Sequence, residues 1–406
     1  MRLLLPIVLA ATLSAASASA AAPAPWWLAA IGADKAEAPG AGVPLTIVDR
    51  GVDLSQPPFA GRPGTAALND QTPDPRAATD ASFALAVYPR VQLQLWDASP
   101  DTALAGYSEA VGIETAADHC PGVIDLPFAT PTPDPFVETA ILIAVHDGCL
   151  VVAAAGDGGQ SGNKPQYPAA FAHVFTVAAT NAQGAAASFS TRSSKTDLAA
   201  PGDSLGTASG STAYSSAIVA AAAAWIWTQR PELNASQLAQ ILRDSAQSVG
   251  PPGWHSSTGS GLLDIPAAVA APTPRADPGE PNDDVEQILP EGGIGSGQPP
   301  LTTAASPDGR VWGTLDSADD PSDVYAIWVP PRSTVHIAVR ANGDAAGVIW
   351  GPKTLSVHEG LAERRRDVKG QSIHADARGF TAYVQVLLTG RVPRASYALV
   401  VTASRP

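Results

Sequence analysis

Leu150-Val-Val-Ala-Ala-Ala155 and Val174-Phe-Thr-Val-Ala-Ala179, with the Ala-rich run Ser215 to Arg230 downstream, decide the fold. The first two are short apolar runs and read as strands. The third is apolar nearly all round, so it reads as a helix buried on every side. Working outward, Leu45-Thr-Ile-Val-Asp49, Val91-Gln-Leu-Gln-Leu-Trp96 and Val123-Ile-Asp-Leu126 read as further strands, and Phe136 to His146 as a helix. Asn234 with Gln237 has capping-box spacing and predicts another helix through about Gln247. Asn234-Ala-Ser236 is also a glycosylation sequon, but capping is the use the pattern favours. Strand–helix alternation of this kind implies an α/β unit of three layers, a parallel sheet with helices on both faces.

The chain has 406 residues, which suggests two domains. A formal net charge of -14 argues against nucleic acid or an anionic membrane surface as partner, because both need basic patches. The start, Met1 to Ala20, places Arg2 before an apolar stretch and ends in Ala18-Ser19-Ala20. This is the pattern of a secretory signal, residues 1–20, and it implies an extracellular protein. No later stretch approaches the ~20 apolar residues that a membrane span needs. Export permits a disulfide between Cys120 and Cys149, the only cysteines. Both lie just before strands expected to be neighbours, at Val123 and Leu150, and closing that loop stabilises by roughly 3–4 kcal/mol in the chain-entropy model.

Residues 21–271 form the α/β unit. Residues 272–280 lie in a proline-rich linker, Ala271-Pro-Thr-Pro-Arg-Ala-Asp-Pro-Gly279. Residues 281–406 change character. Val324 to Val329, Thr334 to Val339, Tyr383 to Leu388 and Tyr397 to Thr402 read as short strands with turns between them, which predicts a small all-β sandwich. Glu291 to Arg310, rich in Gly, Pro, Ser and Thr, reads as a loop.

Several segments, in order, resemble the subtilase family: Trp26 to Asp34, Ile47-Val-Asp49-Arg-Gly-Val-Asp53, Val151-Val-Ala-Ala-Ala-Gly156-Asp157, Tyr167-Pro-Ala-Ala-Phe171, Ala187-Ser-Phe-Ser190, Asp197-Leu-Ala-Ala-Pro-Gly202 and Gly259-Ser-Gly-Leu-Leu-Asp264. The resemblance implies a subtilisin-like fold and a serine endopeptidase ancestry. Such chemistry needs a Ser made nucleophilic by a His, an Asp that fixes the His tautomer, and donors that hold the oxyanion.

The residues depart from that scheme. Asp49 stands where the orienting Asp belongs. No histidine precedes His119, and the segment expected to carry the catalytic one, Asp74 to Phe83, runs so directly into the Val91 strand that its helix looks deleted. The nucleophile segment is Gly210-Ser-Thr-Ala-Tyr-Ser-Ser-Ala-Ile218, which puts Thr212 or Ala213 at the Ser position; helix packing favours Ala213, with Tyr214 next. At the oxyanion position Asp157 replaces the Asn, a carboxylate that repels the developing charge. His119, His146 and His173 fall at the opposite edge of the sheet, and His336, His358 and His374 in the other domain. The propeptide usual in active members is also absent between the signal and Trp26. The expectation is a pseudo-peptidase that binds a peptide or protein, acts as a monomer and needs no organic cofactor. The alternative is a working serine endopeptidase using Ser211, Ser215 or Thr212, and a third reading pairs Asp49 with Asp157 as acid and base.

The second domain resembles the pre-peptidase C-terminal β-sandwich modules through Glu280-Pro-Asn-Asp-Asp284, Asp319-Asp-Pro-Ser-Asp-Val-Tyr325 and Gly343 to Gly347. That resemblance implies calcium near the entry motif, with Glu280, Asn282 and Asp284 as candidate ligands.

Overall fold

The computed structural model describes residues 25–98, 105–290, 294, 297–317, 320–357, 368–389 and 394–404. The expected signal at 1–20, His358 and Asp319 lie outside them. Seven strands make one parallel sheet: β1 (Pro44–Asp49), β2 (Thr65–Ala67), β3 (Gln92–Asp97), β4 (Val123–Leu126), β5 (Leu150–Ala154), β6 (Val174–Thr180) and β7 (Thr196–Pro201), in the order β2-β3-β1-β4-β5-β6-β7. Every residue of β4 to β7 is buried, as expected for strands covered on both faces. No helix among the described residues is long and apolar enough to cross a membrane.

Helices α1 (Trp26–Ala30), α2 (Pro75–Val87), α3 (Ala105–Ala117), α4 (Pro135–His146), α5 (Thr212–Gln229), α6 (Ala235–Asp244) and α7 (Ile265–Ala270) flank the sheet. One apolar layer joins α2, α5, α6 and α7 to the sheet, and a second joins α3 and α4 to its other face. Helix α5 is buried from Thr212 to Trp227, which its apolar circumference requires. The capping box at Asn234 and Gln237 opens α6.

Helix α2 corrects the expectation of a deletion. The segment after Asp49 folds into 13 helical residues, started by the Asp74 carboxylate accepting the Arg76 N–H at 2.7 Å and by Pro75 in the first turn. Ala77, Ala81 and Ala84 give it a small-residue face that packs on α5. The helix is present; it holds no histidine.

Beyond α8 (Val285–Ile288), the chain forms β8 (Gly309–Asp316), β9 (Ser322–Val329), β10 (Ser333–Ala341), β11 (Ala345–Trp350), β12 (Val368–Gly370), β13 (Ser372–Ala375), β14 (Phe380–Leu388) and β15 (Arg394–Ser404). They make two four-stranded antiparallel sheets, β13-β10-β15-β8 and β12-β11-β14-β9, closed on a shared apolar core that includes Leu315, Ile327, Val384 and Leu399. The expected loop at Glu291 to Arg310 yields at its end to β8.

Cys120 and Cys149 are bonded, with Cα atoms 5.1 Å apart. They sit at the amino ends of β4 and β5, which pair Val123 with Leu150. Replacing Cys149 by Ser is expected to lower unfolding free energy by about 3 kcal/mol through the freed loop. Denaturant unfolding measures this, and an unchanged midpoint would remove the disulfide from the account of stability.

Candidate functional site

The carboxyl ends of β1, β4 and β5 meet the amino end of α5 around a cavity of about 500 Å³. Asp49 and Arg50 enter it from β1, Pro127 to Ala129 follow β4, and Gly156 to Gly158 follow β5. Arg76 and Asp80 come from α2, and Ser211, Thr212 and Ala213 from the start of α5. Strand ends are where ligand sites form in open parallel sheets.

Asp157 turns its carboxylate onto the start of α5. Its Oδ1 accepts the Thr212 backbone N–H and the Thr212 Oγ1–H, each at 2.9 Å, and its Oδ2 accepts the Ser211 Oγ–H at 2.9 Å. The Thr212 Oγ1 also accepts the Gly156 N–H at 3.0 Å. An anion at a helix amino end is favoured by the unpaired N–H groups and the helix dipole. Here the chain supplies that anion itself. Thr212 is the first residue of α5 and Ala213 the second, and both line the cavity. Tyr214 turns away into the core and packs on Phe83, with ring centroids 5.0 Å apart. Ser215 is fully buried and donates to the carbonyls of Ala200 and Pro201, so it faces no ligand.

A second carboxyl was not singled out from the sequence. Asp80 is 2% exposed, lines the same cavity as Asp49, and keeps one oxygen without a hydrogen-bond partner. Burial, then the charges of Asp49 and Asp125, push its carboxyl up to about 9. Burial also pushes Asp49 up to about 6, against the opposing pull of the Arg50 N–H. Asp125, fully buried on β4, is raised well above the usual carboxylate range, first by burial. Glu109 on α3 is raised to about 7 by burial, then by Asp134 and Asp49. The sequence did hold a signal: Asp80 falls on the stripe Ala77, Ala81, Ala84, where helical spacing places a core residue. As for the pairing of Asp49 with Asp157, both line the cavity, but the Asp157 carboxylate is engaged by Ser211 and Thr212.

The histidines stand elsewhere. His173 Nε2 meets Asp283 Oδ2 at 2.6 Å, joining the sheet domain to the entry of the sandwich. His255 contacts the Pro251 carbonyl. Among the described residues none lines the cavity around Asp49.

Carboxyl oxygens of Asp277, Glu280 and Asp323 lie within 4.8 Å of one another where the linker meets the sandwich. Asp277 Oδ1, both oxygens of Glu280, Asp320 Oδ1 and Asp323 Oδ1 have no hydrogen-bond partner, nor does the amide of fully buried Asn282. Burial first, then mutual repulsion, raises Glu280 and Asp320 well above the usual range. Hard oxygen donors left without protein partners fit a calcium ion. The expected trio is thus only partly brought together. Glu280 belongs to the cluster and Asn282 offers its unpartnered amide, but the Asp284 carboxylate is engaged elsewhere. It opens α8 and accepts the Val357 N–H at 2.7 Å and the Ser356 hydroxyl.

The fold and cleft define a subtilisin-like α/β protein, and comparison with known proteins agrees. The model of the subtilase family matches residues 63–261. Subtilisin of Bacillus pumilus is 30% identical over 254 residues, covering 56% of this chain and 91% of that protein. Subtilisin E of Bacillus subtilis is 30% identical and 66% covered, a little under two thirds of its length. A lanthipeptide protease structure superposes with a TM-score of 0.53 at 20% identity, covering 60% of this chain and 93% of that one. MycP1 from Mycobacterium smegmatis gives 0.53 at 20%, covering 65% and 89%. The chain belongs to the subtilase family.

Proposed function

We propose that this chain is an exported subtilase that holds polypeptide in its cleft without cutting it. The observation that carries the reading is the Asp157 carboxylate on the amino end of α5, bound to the Thr212 N–H, the Thr212 hydroxyl and the Ser211 hydroxyl. Acyl transfer needs donors there for a developing negative charge, and losing a single donor costs about 2.7–4 kcal/mol. A resident anion costs more, because it repels the developing oxyanion. No histidine among the described residues lines the cleft, which removes the base as well, and triad members act as a unit. In this reading residues 21–271 bind, 272–280 link, and 281–406 form a module resembling the pre-peptidase C-terminal sandwiches. That module holds calcium through Asp277, Glu280, Asp320 and Asp323, with Asn282 beside them. The ion would neutralise the buried carboxylates and fix the entry segment against β8 and β9.

The competing reading has Ser211 or Thr212 attack with Asp157 as base. Its support is that both hydroxyls donate to that carboxylate. Its difficulty is that the same carboxylate sits at the helix end where the oxyanion would form and repels it. A fluorophosphonate probe, which reacts with activated serine or threonine hydroxyls, separates the two. No adduct is expected by mass spectrometry while subtilisin is labelled in parallel; an adduct on Ser211 or Thr212 would establish the competing reading.

A further inference from the structure

Asp49, from the end of β1, and Asp80, from the second turn of α2, both line the cleft. Asp80 is 2% exposed, lines the cavity, and has an oxygen that no protein donor satisfies. Leaving such a group without a partner is costly, so something outside the protein's own donors must answer it. We infer that the cleft seats a primary ammonium group, from a lysine side chain or the amino terminus of a polypeptide, against Asp49 and Asp80. This rests on the reading of the cleft as a polypeptide-binding site, and it names the chemistry of the occupant.

The surroundings favour a cation. Asp49 and Asp80 feel the charge of Asp125 on β4, Asp157 after β5 adds a carboxyl to the same cavity, and Glu109 on α3 lies close enough to feel the charge of Asp49. Tyr214 from α5 packs beside Asp80 and carries no charge at neutral pH. Two cations oppose them. Arg50 is drawn outward to Asp74 at 3.0 Å, and its side chain is 66% exposed. Arg76, exposed on the first turn of α2, is the other, and its charge favours the ionised forms of Asp49 and Asp80. Burial and the neighbouring carboxylates favour a proton on Asp80. An ammonium group with its three donors replaces that proton and satisfies the open oxygen. A cavity of about 500 Å³ takes one long side chain and the backbone that carries it.

The test is isothermal titration of the full chain with three hexa-alanine-based peptides: acetyl-capped with one Lys, acetyl-capped with norleucine in its place, and uncapped with a free amino terminus. At pH 7.5 an ammonium-bearing peptide is expected to bind at least tenfold tighter than the norleucine peptide, and which of the two it is identifies the source. Binding should release a proton, seen as a heat that varies with buffer ionisation enthalpy. The preference should shrink as pH falls to 5 and disappear in Asp80→Asn. If the norleucine peptide binds as tightly as the others and Asp80→Asn changes nothing, the ammonium inference is overturned while the binding cleft stands. If none of the three binds to folded protein, both are overturned.

Discussion

Asp80→Asn is expected to make the protein more stable at neutral pH, by on the order of 4 kcal/mol. The reasoning is linkage between protonation and folding. The Asp80 carboxyl is pushed up to about 9 in the folded chain, mainly by burial, from an unfolded value near 3.8. A carboxyl raised by folding binds more protons folded than unfolded between those values. Its contribution therefore falls as pH rises from about 4 toward 9, at about 1.4 kcal/mol per pH unit. The Asn variant lacks this loss, because an amide does not titrate. The two proteins should match near pH 4 and diverge with rising pH. Denaturant unfolding at pH 4, 5.5 and 7, followed by tryptophan fluorescence, reads the difference directly. A variant equal to or weaker than the parent at pH 7 would mean that Asp80 is not held near-neutral by its surroundings. A residue that costs stability where an amide would not is one whose value lies in function.

Calcium is expected to have an effect of similar size on the other domain. Asp277, Glu280, Asp320 and Asp323 crowd carboxyl oxygens into a buried space with several unpartnered atoms. An ion that binds only the folded form stabilises by about 4 kcal/mol when present at a thousand times its dissociation constant. The unfolding midpoint should rise when millimolar calcium is added to chelator-treated protein, and the rise should be lost in Glu280→Gln. Equal midpoints with chelator and with calcium would remove the ion from the account. The same ion would steady the junction, where His173 meets Asp283 and the linker carbonyls of Ala271 and Pro274 accept from Arg230 and Gln237.

Much of the architecture was legible because burial leaves a compositional mark. Runs such as Leu150–Ala154 and Val174–Thr180 are apolar at every position since both faces of the sheet are covered. Helix α5 announced itself the same way. Strand β2 was missed because three residues of Thr and Ala carry no periodicity, and β8 because it emerges from a Gly- and Pro-rich stretch. Helix α2 was passed over for a different reason. It was sought as the bearer of a histidine, and without that residue its capping Asp74 and its Ala stripe went unread.

The sites divide along the same line. Asp49, Asp157, Thr212 and Ala213 stand out in the sequence because they sit in segments that resemble the subtilases, and all line one cavity. That Asp157 caps α5 depends on two segments 55 residues apart meeting, which no local pattern reveals. The carboxyl cluster likewise joins Asp277 and Glu280 of the linker to Asp320 and Asp323 at the start of β9, segments far apart in sequence. Asp284 was drawn into it by proximity in sequence, although Asp284 with Gln287 has the spacing of a capping box, and the structure uses it so.

The measurement that bears most directly on the account is hydrolysis of a broad quenched-fluorescent peptide library by the purified, folded protein, beside an active subtilisin. With Asp157 on the amino end of α5 and no histidine among the described residues of the cleft, turnover should not exceed that of buffer. Turnover that survives repurification and is abolished by Asp157→Ala or Ser211→Ala would contradict it, and would make the Ser211, Thr212 and Asp157 cluster a working catalyst.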